Sequence, residues 1–364
     1  MAGILCYIYT TRNRRCAVPH SLPYVAYLYL HIPFCKQACS YCDFYFVTAQ
    51  GKRAAFVDAL LLELAQQQHF FPPGTALASI YLGGGTPSLL TQAELARILQ
   101  AVQATWPLAA DAEVTLEANP DDLSAEALAG WQAAGINRLS LGLQSLHAQE
   151  LALMRRAHNA EQAQAALALL AASTLPSYSV DLIYASPTLL DATWRETLDA
   201  VLAYRPPHLS CYSMTVEPGT LLARQVQRGE LPPPPDARFL SQLALLEEKA
   251  THAGYAHYEL SNLALPGHRA RHNTAYWLQQ PYLGLGPSAH SYDGHRTRRL
   301  NAPNLTHYLR ALEKGESPPA EVEHLSDADL HNEYVMTRLR LQEGFPVVEY
   351  SARFGHAPQR LLGT

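Results

Sequence analysis

Residues 27–44 read YLYLHIPFCKQACSYCDF. A strand-like run of alternating aromatic and aliphatic residues breaks at Pro33 and runs into three cysteines, Cys35, Cys39 and Cys42. In a C-x3-C-x2-C spacing on one loop, three thiolates can hold three corners of a cubane [4Fe–4S] cluster, for which thiolate is the normal ligand. The fourth iron is then left without a protein ligand, and an open coordination position is what separates a catalytic centre from a closed structural one. The competing reading is structural zinc, with His31 or a distant residue as the fourth ligand. Structural zinc sites favour C-x2-C pairs, so the spacing speaks for the cluster.

The rest of the composition agrees with an intracellular metalloprotein. Six cysteines in 364 residues, three of them within eight positions, are no disulfide scaffold and read as a metal site in a reducing compartment. The chain carries 27 basic and 32 acidic residues, a net charge of −5, which argues against a partner held through nucleic-acid phosphates. No apolar run approaches the roughly 20 residues of a membrane span. The expectation is therefore a cytoplasmic globular protein, with peripheral membrane association only by way of a partner. Residues 1–23 do not form a signal peptide, because the basic residues Arg12, Arg14 and Arg15 follow the short apolar stretch. They read as a tail outside the fold or the product of a misplaced start, with no function assigned to Cys6 or Cys16.

From Val25 onward, strands and helices alternate. Strands are expected at Val25–Ile32, Ser79–Leu82, Glu113–Glu117, Arg138–Leu143, Tyr178–Tyr184 and His208–Met214. Helices are expected between them, one of them starting at Ser124 as an N-cap. Six such alternations in about 200 residues give an α/β fold with a parallel sheet. Periodicity leaves a barrel and a doubly wound sheet equally open, but in either the functional residues belong at the C-terminal strand ends. Cys35, Gly83–Gly85, Glu117 and Gln144 fall there, and Asp181 lies within the fifth strand.

The stretch YLHIPFCKQACSYCDF (29–44), with Tyr41 before the last cysteine, resembles the signature of the radical S-adenosylmethionine (SAM) superfamily. Its flank Tyr-x-His-Ile-Pro-Phe is similar to the branch that holds the oxygen-independent coproporphyrinogen III dehydrogenases and the HemW-like haem chaperones. The resemblance implies a partial (β/α)6 barrel and a [4Fe–4S] cluster on Cys35, Cys39 and Cys42. It also implies that SAM chelates the open iron and is cleaved to a 5′-deoxyadenosyl radical. Residues that match SAM-side positions are Tyr29, Tyr41, Phe44, Gly84, Gly85 and Thr86 (in GGGTPS), Glu117 (in EANP), Gln144, Arg156 and Asp181. Glycine suits a strip whose backbone is closely approached, since a Cβ would intrude. A carboxylate can accept from ribose hydroxyls, and a guanidinium can pair with the methionyl carboxylate.

Two features divide the branch. The dehydrogenases carry a further cysteine two residues after the triplet, where this chain has Phe44. The run His272-Asn273-Thr274-Ala275-Tyr276-Trp277 matches the H-N-x-x-Y-W signature of the HemW-like proteins, which makes His272, Tyr276 and Trp277 candidate haem contacts. The implied activity is haem binding and delivery to an acceptor protein. The rivals are coproporphyrinogen III dehydrogenase, whose aromatic six residues before the first cysteine is kept as Tyr29, and a radical SAM enzyme on another substrate. The resemblance divides the chain into a barrel with its H-N-x-x-Y-W extension (24–305) and a small, mostly helical accessory region (306–364) shorter than the family's. Two departures stand out: Ala185-Ser186 follow DLIY where the family has Gly-x-Pro, and Arg155 replaces a usual glycine or asparagine.

Overall fold

The structure, a computed structural model, describes residues 25–355. The expected tail (1–23) and residues 356–364 lie outside the described residues. Six parallel strands, β1 (Val25–Ile32), β2 (Ala76–Gly84), β3 (Leu108–Ala118), β4 (Arg138–Gln144), β5 (Ser177–Tyr184) and β6 (His208–Ser213), pair in sequential order. The helices between them are α1 (Arg53–Gln66), α2 (Gln92–Thr105), α3 (Ala125–Ala133), α4 (Ala148–Leu153), α5 (Ala160–Ala171) and α6 (Asp191–Ala203). A doubly wound sheet needs a point where strand order reverses. Here none exists, so right-handed crossovers lay every helix on one face. The other face can only shield itself by curling inward, which gives the partial (β/α)6 barrel.

The side-chain alternation follows from that geometry. On β1, Ala26, Leu28, Leu30 and Ile32 are fully buried beneath the helices, which leaves Tyr27, Tyr29 and His31 on the inner face. The inner faces of the next strands carry Ser79 and Tyr81, Glu113 and Glu117, Arg138 and Ser140, Ser179 and Asp181, and His208 and Ser210. Parallel strands covered on both sides are usually apolar on both faces. This interior is instead a hydrogen-bonded polar surface, with Ser140 and Ser179 hydroxyls each 2.8 Å from the Asp181 carboxylate.

The helices end as their residues dictate. Thr91 and Glu94 form a capping box on α2, Asn159 and Gln162 one on α5, and Ser124 caps α3 as expected. After β6 come α7 (Leu221–Gln227), α8 (Asp236–His252), β7 (Ala256–Glu259), β8 (Asn262–Ala264) and α9 (Arg271–Trp277). The stretch then returns to the opposite edge. There β9 (Tyr282–Leu285) runs parallel to β1, and β10 (His290–Tyr292), β11 (Thr297–Asn301) and β12 (Ala320–His324) continue antiparallel. The accessory region adds α10 (Leu305–Glu313), α11 (Asp327–Arg338) and α12 (Val347–Phe354). β12 lies past residue 305, the expected division, and pairs with β11.

Two buried carboxylates lock this return segment to the barrel. Glu63 of α1 accepts from the Gly286 amide and Tyr308 hydroxyl, each at 2.7 Å, and from Asn301 Nδ2 at 2.7 Å. Glu113 of β3 accepts from the first amides of α9, Arg271 at 3.0 Å and His272 at 3.1 Å. An acceptor at a helix N-terminus satisfies donors that the helix itself cannot. Glu113 thereby sets where His272 enters the barrel interior.

Candidate functional site

The cysteine loop is pinned from several sides. The Cys35 amide donates to Val47 O at 3.0 Å, and Gln50 Nε2 donates to Cys35 O at 3.1 Å. Ser40 donates through its amide to Met154 O and through its hydroxyl to Leu153 O. The glycine strip supports the same loop: Gly85 N donates to Ile32 O at 2.9 Å and Thr86 N to Phe34 O at 2.7 Å. A Cβ at Gly85 would stand 2.7 Å from both of those carbonyls, and one at Gly84 would stand 2.5 Å from the His31 ring. The immediate need for glycine is thus close packing of the strip on the β1 loop.

A cavity of about 430 Å³ opens above these elements at the C-terminal ends of the strands. It is lined by Cys35, Cys39, Cys42, Tyr41, Phe44, Gly84, Gly85, Thr86, Glu117, Gln144, Arg156 and Asp181. The residues scattered over 147 positions of sequence are therefore neighbours. Arg156 is central: Nη1 lies 3.4 Å from both Cys39 Sγ and the Tyr41 hydroxyl, and Nη2 donates to Asn119 Oδ1 at 2.5 Å and Gly142 O at 2.9 Å. Its Nε is buried with no partner. Thr86 Oγ1 lies 3.6 Å from Cys35 Sγ.

Burial pushes the Cys42 thiol up to about 12 and also raises Cys35, where the Thr86 contact works against burial. Such thiols ionise when iron takes the place of the proton. The buried guanidinium beside Cys39 supplies positive charge to a thiolate site, and its unpartnered Nε leaves a donor for an anionic ligand. Among the described residues, no three of His, Cys, Asp and Glu converge as the ligands of a single ion. His31 is not available to complete a zinc site: its Nδ1 lies 3.2 Å from the Tyr29 hydroxyl and its Nε2 2.9 Å from Tyr45 O. Three thiols that would each bind their own corner iron suit a cluster better than zinc.

Glu117 accepts from the Tyr81 hydroxyl at 2.8 Å and from Gly84 N at 3.1 Å. Burial drives its carboxyl up to about 7 against the pull of the Tyr81 bond, and the nearby Asp181 carboxylate adds to the rise. Gln144 takes a left-handed backbone, φ 63°. Two departures noted in the sequence share this property: Ala185 has φ 56° and Arg155 has φ 53°. Both stand where glycine would be free of strain. Ser186 finds its own partner, donating to Glu150 Oε2 at 2.5 Å.

A second cavity of about 570 Å³ adjoins the first. The two share Asp43, Phe44, Tyr81, Glu117, Tyr212 and Asn273 as a common wall. The second is largely aromatic and holds His272, Tyr276 and Trp277 together with Tyr45, Tyr282 and Tyr292. Tyr29, expected among the SAM-side residues, lines this second cavity and not the first. The alternation of β1 turns it inward beside Tyr81, the two rings stacked at 6.1 Å. His272 also lines the cavity, but its ring is 1% exposed and stacked on Tyr81 at 5.1 Å. Nδ1 is 2.7 Å from the Ser79 hydroxyl and Nε2 is 2.9 Å from the Tyr276 hydroxyl. Burial and the Arg138 charge lower it to about 3, so it is neutral.

Sequence reading missed Tyr81, Asn119, Arg138, Ser140 and Tyr212 on the cavity walls. For Asn119 the signal was at hand, two residues past Glu117 at a strand end. The others sit inside strands, and only the inward alternation identifies them.

The radical SAM superfamily model matches residues 29–201. The protein named heme chaperone HemW of Synechocystis sp. is 39% identical over 326 residues, covering 87% of this chain and 78% of that one. Proteins of the same name from Mycobacterium tuberculosis and Escherichia coli are 38% and 35% identical, covering 84% and 86% of their own lengths and 89% and 90% of this chain. Among solved structures, coproporphyrinogen III oxidase (HemN) of Escherichia coli superposes with a TM-score of 0.80 at 24% identity, over 93% of this chain and 81% of that one, a likeness of fold. Among the described residues no helix is long and apolar enough to cross a membrane. On identity and coverage together, this chain belongs to the HemW family of the radical SAM superfamily.

Proposed function

We propose that the chain holds a [4Fe–4S] cluster and SAM in the first cavity and haem in the second, and passes the haem to an acceptor protein. The observation that carries this reading is the pair of adjoining cavities: one thiol-rich and charged, the other aromatic, with Tyr81 and Glu117 in the wall between them. The name shared by the curated relatives supports haem as the cargo.

Cys35, Cys39 and Cys42 would hold the cluster, which when bound supplies an electron and one open iron. The chain's own residues do the remaining work. Gly84 and Gly85 line the first cavity, where the missing side chains let a bound molecule approach the backbone. Arg156 offers its unpartnered Nε to a carboxylate and holds positive charge beside Cys39. Glu117 and Asp181 present buried carboxyls to ribose hydroxyls, and Gln144 and Thr86 add uncharged polar groups. Glu117, about half protonated near neutral pH, can donate or accept toward either cavity.

In the second cavity, Tyr276, Trp277 and the surrounding tyrosines supply an aromatic lining for a tetrapyrrole, with the His272 ring set edge-on to Tyr276. Phe44 is 67% exposed at the shared rim, where an acceptor protein could meet the cargo. The test is transfer: haem-loaded protein mixed with an apo b-type acceptor should lose its Soret band as the acceptor gains one. Haem that stays bound, or protoporphyrinogen formed from coproporphyrinogen, would overturn the delivery reading.

A further inference from the structure

Three imidazoles line the second cavity: His31, His272 and His290. Both ring nitrogens of His31 and of His272 are engaged within the chain. The ring of His290, on β10, makes no hydrogen bond to any described residue and is accessible to solvent. Burial of part of the ring and the Arg298 charge hold His290 below the usual imidazole range, so at neutral pH the ring is neutral and one of its nitrogens carries a free lone pair.

Other features mark this cavity as built for a polar ligand. The indole Nε1 of Trp277 and both amide atoms of Gln279 are buried without partners, and all belong to residues lining it. Buried polar atoms left unpaired in a folded chain are costly and call for an explanation. Gln279 and Ser288, also on the wall, have left-handed backbones, with φ 53° and 67°. Strained residues of this kind persist where the surroundings over-determine them, and they gather at ligand sites.

We propose that His290 is the axial ligand of the haem iron, and that the Trp277 N–H and the Gln279 amide donate to the haem carboxylates. His272, by contrast, is a positioning residue that orients Tyr276 and stacks on Tyr81. The proposal rests on the reading of the second cavity as the haem site. It needs no proton to leave His290, because the neutral nitrogen already presents its lone pair to iron.

The test is an anaerobic haemin titration of the cluster-reconstituted protein, followed by the Soret band. Three variants are compared with the unchanged chain: His290→Gly, Trp277→Phe and His272→Asn. His290→Gly should bind haemin at least about tenfold more weakly with a shifted Soret maximum, and added imidazole should restore both. Trp277→Phe, which keeps the ring and removes the donor, should weaken binding a few-fold without moving the maximum. His272→Asn should leave the maximum in place. An unchanged Soret position and affinity in His290→Gly would overturn the ligand assignment while leaving the haem reading intact. A maximum lost in His272→Asn and rescued there by imidazole would move the ligand to His272. No saturable binding by the unchanged chain would remove the haem reading and this proposal with it.

Discussion

The two cavities share a wall but are assembled on different principles. The first is made where one loop and several strand ends of a regular barrel converge, and each contributing residue sits at a predictable place in a repeating unit. The second depends on a segment that leaves the barrel after β6 and returns to pair β9 with β1, Tyr282 with Tyr27, 255 residues apart in the chain. Local pattern suffices to build the first. The second requires long-range contacts such as Glu63 with Tyr308 and Glu113 with the start of α9.

That difference also separates the environments of the buried His272 and the exposed His290, and it can be broken by mutation. His272→Ala should have the largest effect, about 4 kcal/mol of lost stability, because it strands Ser79 and Tyr276 and opens a cavity beside Tyr81. Chemical denaturation measures it. His290→Ala, which removes an accessible ring with no internal bond, should cost less than about 0.5 kcal/mol. Similar losses at the two positions would mean that the second cavity is supported differently from this account.

Glu117 offers a test from the shared wall. Its folded pKa of about 7 lies above the ordinary value of 4.5, so the folded state binds the extra proton between those limits. This group therefore makes the protein less stable as pH rises from 4.5 to 7, by about 3 kcal/mol in all. Glu117→Gln should abolish that component: the stability of the variant relative to the unchanged chain should increase across this window and then level off. A constant difference between pH 4 and 8 would place Glu117 in a wetter setting than the cavity wall implies.

The smallest effect sharpens the account of the first cavity. Arg155→Gly should raise stability by about 0.5–1 kcal/mol, since glycine adopts the left-handed backbone of that position without strain. Ala185→Gly should gain less, because Ala185 is 1% exposed and its methyl packs in the core. A loss at Arg155 would mean that its side chain, beside Arg156, contributes more than the strain removes.

How much could be read in advance follows from the same contrast. The six strands, the cysteine loop and the helix cap at Ser124 depend on near neighbours, and the residues around them are legible. Curvature was not, because periodicity does not record strand order. Parallel pairing also misleads about the interior, where Ser140, Ser179 and Asp181 alternate with Leu139, Val180 and Leu182 in place of the continuous apolar run expected of covered strands. Tyr29 matched a SAM-side position by motif, yet strand alternation alone turns it toward His272. Nothing local distinguishes His290 from the other histidines between residues 257 and 295. Its role depends on the partners that His31 and His272 have and it lacks, which only the folded chain reveals.

The most direct test of two cavities with two occupants is competition. Haemin is titrated anaerobically into the cluster-reconstituted protein with SAM absent and then saturating, while the Soret band and the cluster absorbance are followed together. The account predicts one haem per chain in both cases, with the cluster absorbance unchanged and SAM still bound. Displacement of haem by SAM one for one, or loss of the cluster as haem binds, would show that both occupy the first cavity and would contradict it.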